Sequence, residues 1–189
     1  MRFIELIAGI GGFSRGFEAE GWECIAHCEI EPYAQKILKK RWPDVPLFED
    51  VTKITEEDLK KLGPIDVVCA GFPCQDFSIA GEQKGIGNES SYSRSSLFHE
   101  IIRICRISRP RLVILENVAA LLRNSGWMGI ILGEFAKIGY DVEWQVISAR
   151  DAGAPHLRER VWIVAYPISD TDSNGCPASK ERGSIKKAI

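Results

Sequence analysis

Two apolar runs constrain this chain more than anything else in it. Ile65–Ala70 is apolar but for Asp66, and Leu112–Leu115 is apolar throughout. Short runs without polar alternation read as strands buried on both faces, which belong to parallel sheets with helices packed on each side. The rest of the chain agrees. Arg2–Ala8 and Trp22–Cys28 read as strands. Phe13–Glu20 reads as a helix stopped by Gly21, and Pro32–Trp42 as a helix with proline in its first turn. A short extended piece lies around Leu47. Thr55-Glu-Glu-Asp58 has the form of an N-cap with an acidic first turn. Ser95–Ile107 and Gly129–Ile138 read as helices, and Asp141–Ser148 and Val161–Ala165 as strands. Such alternation predicts an α/β sheet with right-handed crossovers and helices on both faces. The last two strands have no room for a helix between them, so the last strand is expected to be antiparallel.

A chain of 189 residues suits one domain. The expected domain covers 1–166, and 167–189, rich in Ser, Asp, Asn, Gly and Lys, reads as a polar tail or the start of a further region. No apolar run is long enough to span a bilayer, and the first residues read as a strand rather than a leader, so a cytoplasmic protein is expected. The six cysteines and three histidines lack zinc spacing, so no metal is expected. The net charge of −2 gives no overall basic footprint for phosphates.

In open α/β sheets, ligands bind beyond the carboxyl ends of the strands. The unusual residues of this chain fall there. Gly9-Ile10-Gly11-Gly12 is a turn between a strand and a helix, where backbone can approach a ligand closely. Glu29 ends the second strand at the offset of an acid that takes ribose hydroxyls. A dinucleotide fingerprint would want glycine at 14, where this chain has Ser14. Asp50 is placed to accept from an adenine amino group. Two acids with a glycine turn suit a nucleoside cofactor without a pyrophosphate.

Cys24, Cys69 and Cys105 lie within apolar segments and read as small core hydrophobes. Cys74 instead follows Pro73 at the start of the Gly/Ser-rich stretch Phe72–Arg94, read as a functional loop. Its position leaves nucleophile and structural thiol both open. Glu116 ends an apolar strand and precedes Asn117-Val118, which suggests a partly buried carboxyl able to act as acid or hydrogen-bond partner. Arg158 and Arg160 alternate in an extended segment and suit an anion clamp or a solvated edge.

In this order and spacing the segments resemble the cytosine-C5 DNA methyltransferases over residues 1–166. Glu5-Leu-Ile-Ala-Gly-Ile-Gly-Gly-Phe13 is similar to that family's S-adenosylmethionine turn, Glu29 to its ribose acid and Asp50-Val51 to its adenine-contacting pair. Gly71-Phe-Pro-Cys-Gln75 resembles the nucleophile motif, Glu116-Asn-Val118 the Glu-Asn-Val motif, and Arg94-Ser-Ser-Leu97 the segment after the catalytic loop. Arg158-Glu-Arg160 resembles the Arg-x-Arg motif. The chain departs from the family at Ile7, where phenylalanine is usual, and at Ala152 and His156, where tyrosine and glutamine are usual. The family's target-recognition region and last motifs are not found in 167–189.

The resemblance implies an S-adenosylmethionine-dependent, Rossmann-like fold and an enzyme of restriction-modification type, encoded by a bacterium, archaeon or phage. S-adenosylhomocysteine would be its product. It implies Cys74, Glu116, Arg158 and Arg160 as catalytic residues. Cofactor contacts would come from Ile7, Ala8, Gly9, Gly11, Gly12, Phe13, Glu29, Ile30, Asp50, Val51, Pro73 and Leu97. Substrate contacts would come from Phe72, Gln75, Ser78, Asn117 and Val118. Addition of the Cys74 thiolate to C6 of a flipped-out cytosine would make C5 nucleophilic. Three readings follow: the catalytic part of a truncated or split DNA methyltransferase; a tRNA cytosine-C5 methyltransferase; and an inactive fragment that binds a partner. Expected partners are DNA, a second chain carrying the missing motifs, or a second copy in a homodimer.

Overall fold

The computed structural model describes residues 1–73, 95–123 and 125–168. The elements run β1 (Arg2–Leu6), α1 (Gly12–Ala19), β2 (Glu23–Cys28), α2 (Pro32–Arg41), β3 (Leu47–Phe48), a 3-10 turn (Val51–Lys53), α3 (Glu56–Leu62) and β4 (Val67–Gly71). They continue with α4 (Ser95–Ser108), β5 (Leu112–Val118), a 3-10 turn (Ala119–Arg123), α5 (Ser125–Lys137), β6 (Tyr140–Ser148) and β7 (Glu159–Pro167). The strand order is β3-β2-β1-β4-β5-β7-β6. β1 to β5 pair in parallel, and β7 inserts antiparallel between β5 and β6. This is the expected α/β frame with its antiparallel last strand.

The unbroken apolar runs do cover two faces. Val68 and Ala70 of β4 join a core with Leu59 of α3, Phe98, Ile101 and Cys105 of α4, and Met128, Ile131 and Phe135 of α5. Val67 and Cys69 of the same strand turn to the opposite cluster, against Phe3, Cys24 and Ile114, with Phe13 and Phe17 of α1 packed on it. α1 therefore covers one face and α3, α4 and α5 the other. Cys24, Cys28, Cys69 and Cys105 are all buried thiols, and burial pushes Cys24 and Cys28 up to about 12. They behave as small apolar side chains.

The expected caps are present at α3. Thr55 Oγ1 accepts from the Asp58 N–H (3.1 Å), and Asp58 Oδ2 accepts from the Thr55 N–H (3.0 Å), a capping box. Pro32 stands in the first turn of α2, and Lys39, Lys40 and Arg41 close its last turn, where the helix dipole favours cations.

Three expectations need correction. β5 does not end at Glu116; it runs to Val118, because β7 pairs Val161 with Asn117 and Arg160 with Val118 beyond Glu116, the last residue that β4 reaches. α5 begins at Ser125 rather than Gly129: Met128 is buried and Trp127 packs on the core, so the glycines at 126 and 129 do not break it. β7 runs to Pro167, one residue past the expected domain end, and residues from 169 onward lie outside the described ones. Among the described residues, no helix is long and apolar enough to cross a membrane.

Candidate active site

Because β1 to β5 are parallel, their carboxyl ends share one edge of the sheet. β1 lies between β2 and β4, so the chain leaves it on one side and returns on the other, which opens a crevice at that edge. Gly9–Gly12, Glu29, Asp50, Pro73 and Glu116 gather along it.

The glycine turn is built by close backbone bonds. The Ala8 N–H donates to the Cys28 carbonyl (2.9 Å) and the Gly11 N–H to the Ala8 carbonyl (2.9 Å). Gly9 (φ +55°) and Gly11 (φ +85°) take left-handed backbone, and so does Ile7 (φ +55°). A β-branched residue rarely adopts that conformation, and such strain collects at ligand sites. A Cβ added at Gly9 or Gly12 would meet nothing within 4 Å, whereas one at Gly11 would collide with Cζ3 of Trp42. Gly11 thus makes room for Trp42, while Gly9 and Gly12 border open space.

Glu29 is buried at the end of β2. Its Oε2 accepts from the Gly9 N–H (2.6 Å) and its Oε1 from the Glu31 N–H (2.8 Å). The carboxylate is locked beside the turn, and each oxygen keeps a lone pair for a further donor. At the end of β3, Asp50 Oδ1 accepts from the N–H (2.9 Å) and Oγ1 (2.7 Å) of Thr52, which holds this carboxyl below its ordinary range. Ile30 is 68% exposed and Ile10 53%. Open glycine backbone, two fixed acceptors and exposed apolar side chains fit the nucleoside part of S-adenosylmethionine. Val51 and Ala8 are buried, so of these two only the backbone is left for a ligand to meet. Leu97 is partly buried against the core. The ring of Phe13 packs on Phe17 and Trp162.

A buried polar cluster lies beneath the turn, and sequence reading missed it. Glu5, only 1% exposed, accepts from the Phe13 N–H (3.0 Å), the Ser14 N–H (2.9 Å) and the Ser14 hydroxyl. Ser14 Oγ also lies 2.8 Å from His27 Nε2. Burial raises Glu5 to about 7 and lowers His27 to about 4, so at neutral pH the imidazole is uncharged and the two, 3.7 Å apart, form no ion pair. Gly11 offers no side-chain cap to α1; Glu5 caps that helix from β1 instead. The available signal was a carboxylate inside an apolar strand with a serine after the turn, where a dinucleotide fingerprint has glycine.

At the next strand ends, Gly71 pairs with Glu116. A Cβ at Gly71 would come within 3.3 Å of Glu116 Oε2. Glu116 Oε1 is 2.6 Å from Arg160 Nε, with the two side chains 27% and 22% exposed. Glu116 is partly buried, as expected, and it is a strand residue held by a guanidinium. Arg160 Nη1 also donates to the Glu159 carbonyl (2.8 Å). Arg158 is exposed ahead of β7, and its carbonyl accepts from the Ala149 N–H (3.0 Å).

Asn117 is buried. Its Nδ2 donates to the Phe72 carbonyl (2.9 Å), and its Oδ1 accepts from the Val118 N–H (2.8 Å). It holds the backbone just before Pro73. The side chain of Phe72, expected at the substrate, is 3% exposed and packs on Phe98 at 5.7 Å between centroids. An aromatic ring gains more from the core than from the cleft, so Phe72 offers backbone only. Val118 is half-buried. Cys74, Gln75 and Ser78, and most of the loop 72–94, lie outside the described residues. Among the described residues, no group of three or more His, Cys, Asp or Glu could hold a metal ion.

Comparisons with known proteins converge. The sequence model of the C-5 cytosine-specific DNA methylase family matches residues 1–187. The chain is 36% identical over 168 residues to the type II methyltransferase M.HhaI of Haemophilus parahaemolyticus, covering 88% of this chain and 49% of that protein. It is 38% identical over 176 residues to M.HgiBI of Herpetosiphon aurantiacus, covering 92% of this chain and 39% of that protein. The chain thus spans half or less of the length of these relatives. In fold it is similar to a putative DNA modification methyltransferase from an Escherichia coli prophage (TM-score 0.73, 24% identity, 95% of this chain and 51% of that one). It is also similar to Spodoptera frugiperda DNMT2 (TM-score 0.74, 19% identity, 94% and 53%).

Proposed function

The chain belongs to the C-5 cytosine-specific DNA methylase family, and from that membership we propose that it is the cofactor-binding and catalytic part of an enzyme that methylates C5 of cytosine in DNA. The observation that carries the reading is the Glu116–Arg160 pair, 2.6 Å apart beside Gly71 at the strand end that leads into Pro73-Cys74.

S-adenosylmethionine, when bound, supplies the electrophilic methyl group. Glu29 would take its ribose hydroxyls, Asp50 its adenine amino group, and the Gly9–Gly12 backbone would border its aminoacyl part. Ile30 and Leu97 would flank it with apolar surface, and Pro73 would approach from the β4 side.

The proposed roles at the base follow from chemistry. The thiolate of Cys74 adds to C6 of a cytosine turned out of the duplex, which breaks the ring's conjugation and gives C5 enamine character. Glu116 holds the N3/N4 edge and stabilises the proton at N3 that favours this addition. Arg160 keeps the Glu116 carboxylate in place and approaches the O2 side; Arg158, exposed beside it, meets phosphate or the loop. Asn117 fixes the Phe72 carbonyl and so the approach of Pro73-Cys74. After methyl transfer, loss of the C5 proton and elimination free the Cys74 thiolate. Gln75, Ser78 and Val118 complete the base pocket in this proposal. The net charge of −2 fits a reading in which a second, different chain supplies the basic DNA-reading surface.

The test is transfer of labelled methyl to duplex DNA and, in parallel, to tRNA, alone and with candidate partner chains. Trapping on 5-fluorocytosine DNA should give a covalent adduct at Cys74. Transfer to tRNA alone would move the substrate to RNA. No adduct with any partner would leave a binding fragment.

A further inference from the structure

Arg103 of α4 reaches across to the segment that follows β3. Its Nη1 donates to the Ile54 carbonyl (2.9 Å) and its Nη2 to the Val51 carbonyl (3.1 Å), while its Nε is held by Glu100 Oε2 (2.7 Å). The two carbonyls bracket the 3-10 turn Val51–Lys53, and Asp50 caps that turn. The turn's own closing bond, from the Ile54 N–H to the Val51 carbonyl, is long at 3.4 Å.

This segment needs an outside anchor. β3 has only two residues and pairs with β2 at only two positions, His27 with Leu47 and Cys28 with Phe48. It is an edge strand, so the sheet itself gives Asp50 little support. A planar guanidinium with three donors engaged fixes both distance and tilt, which a single flexible contact would not. The same helix carries Leu97 in its first turn. Arg103 therefore ties together two walls of the cofactor site that are far apart in sequence.

We propose that Arg103 is a positioning residue for adenine recognition: it holds the Asp50 turn at the spacing that lets the Asp50 carboxylate meet the adenine amino group. The inference rests on the cofactor reading above. Asp50 Oδ1 is engaged by Thr52, while Oδ2 lies 3.8 Å from Lys53 Nζ and accepts no hydrogen bond among the described residues. That oxygen is the acceptor Arg103 keeps in register.

The experiment compares S-adenosylhomocysteine with S-inosylhomocysteine by calorimetry on the whole chain. Hypoxanthine replaces the 6-amino donor with an oxygen, so a carboxylate that reads that position rejects it. The wild type is expected to prefer the adenosyl ligand by about tenfold or more. Arg103→Met should weaken the adenosyl ligand and leave the inosyl ligand nearly unchanged, so the preference collapses. Arg103→Lys should keep part of it, and thermal unfolding of both variants verifies folding. Equal weakening of both ligands, or an unchanged preference in folded Arg103→Met, would overturn the proposal. A wild type that binds both equally overturns the adenine role of Asp50 and this inference with it, while leaving a cofactor site. A wild type that binds neither overturns the cofactor reading itself.

Discussion

Glu116 and Arg160 meet diagonally across an antiparallel strand pair, Oε1 to Nε 2.6 Å, although a helix and a further strand intervene between them in sequence. The pair occupies the sheet edge where the glycine turn, Glu29 and the Pro73 strand end also lie. Glu116→Gln should lower methyl transfer by about a hundredfold or more and leave cofactor affinity within about twofold. Arg160→Met should lower it as well. In the double variant the two losses should fail to add, because each substitution disrupts the same pair. Single-turnover transfer assays and calorimetry measure the two quantities.

Cys74→Ser should abolish methyl transfer and adduct formation on 5-fluorocytosine DNA while S-adenosylhomocysteine still binds. Equal loss of transfer and binding would make the thiol structural.

Asn117→Ala removes a buried amide that donates to the Phe72 carbonyl and accepts from the Val118 N–H. A stability loss of about 1–3 kcal/mol is expected in denaturant unfolding. Transfer should fall further than the change in folded fraction accounts for, since the backbone before Pro73 loses its tether.

Gly11→Ala places a methyl group against the Trp42 ring at a left-handed position. It should cost about 2–4 kcal/mol from overpacking and strain together. Adding Trp42→Leu should return the overpacking part but not the backbone part. Gly12→Ala, which faces open space, should leave stability nearly unchanged and weaken cofactor binding instead. Unfolding curves and calorimetry separate the two.

The buried pair Glu5 and His27 predicts a compensated pH response. Glu5 is raised from 4.5 to about 7, so its contribution to stability is full below about 4.5 and is lost as pH rises through 7. His27 is lowered from 6.5 to about 4, so its contribution is full above 6.5 and is lost as pH falls through 4. Between pH 4.5 and 6.5 the two slopes oppose each other. Glu5→Gln should expose the histidine slope alone, with stability rising across that interval by on the order of 2 kcal/mol more than in the wild type. Chemical unfolding at several pH values reads the difference.

Most of the frame was legible because parallel strands buried on both faces leave unbroken apolar runs, and Val67–Ala70 is one. The placement of Gly9–Gly12, Glu29 and Asp50 followed from topology, since parallel strands must present their carboxyl ends together. What stayed hidden depends on partners distant in sequence. The extension of β5 past Glu116 comes from β7, and nothing in Leu112–Val118 itself announces it. Trp42 looks like the end of a helix until the ring is found against Gly11. Ser14 looked like a departure from a glycine pattern, and its reason is Glu5 on a different element. Phe72 was expected at the substrate from its place in the Gly71–Gln75 motif, yet its ring packs on Phe98 in the core.

The insertion of β7 between β5 and β6 has a consequence for how this molecule comes into being. A ribosome releases Glu116 well before Arg160, and a strand already flanked on one side by β4 must wait for its other neighbour. Until β7 emerges and wedges into that gap, the carboxylate at the sheet edge has no guanidinium, and β6 has no neighbour in the sheet. In the proposed reading, the strand that completes the base-handling pair is the last to be synthesised and enters between two others, after every residue assigned to the cofactor has already emerged.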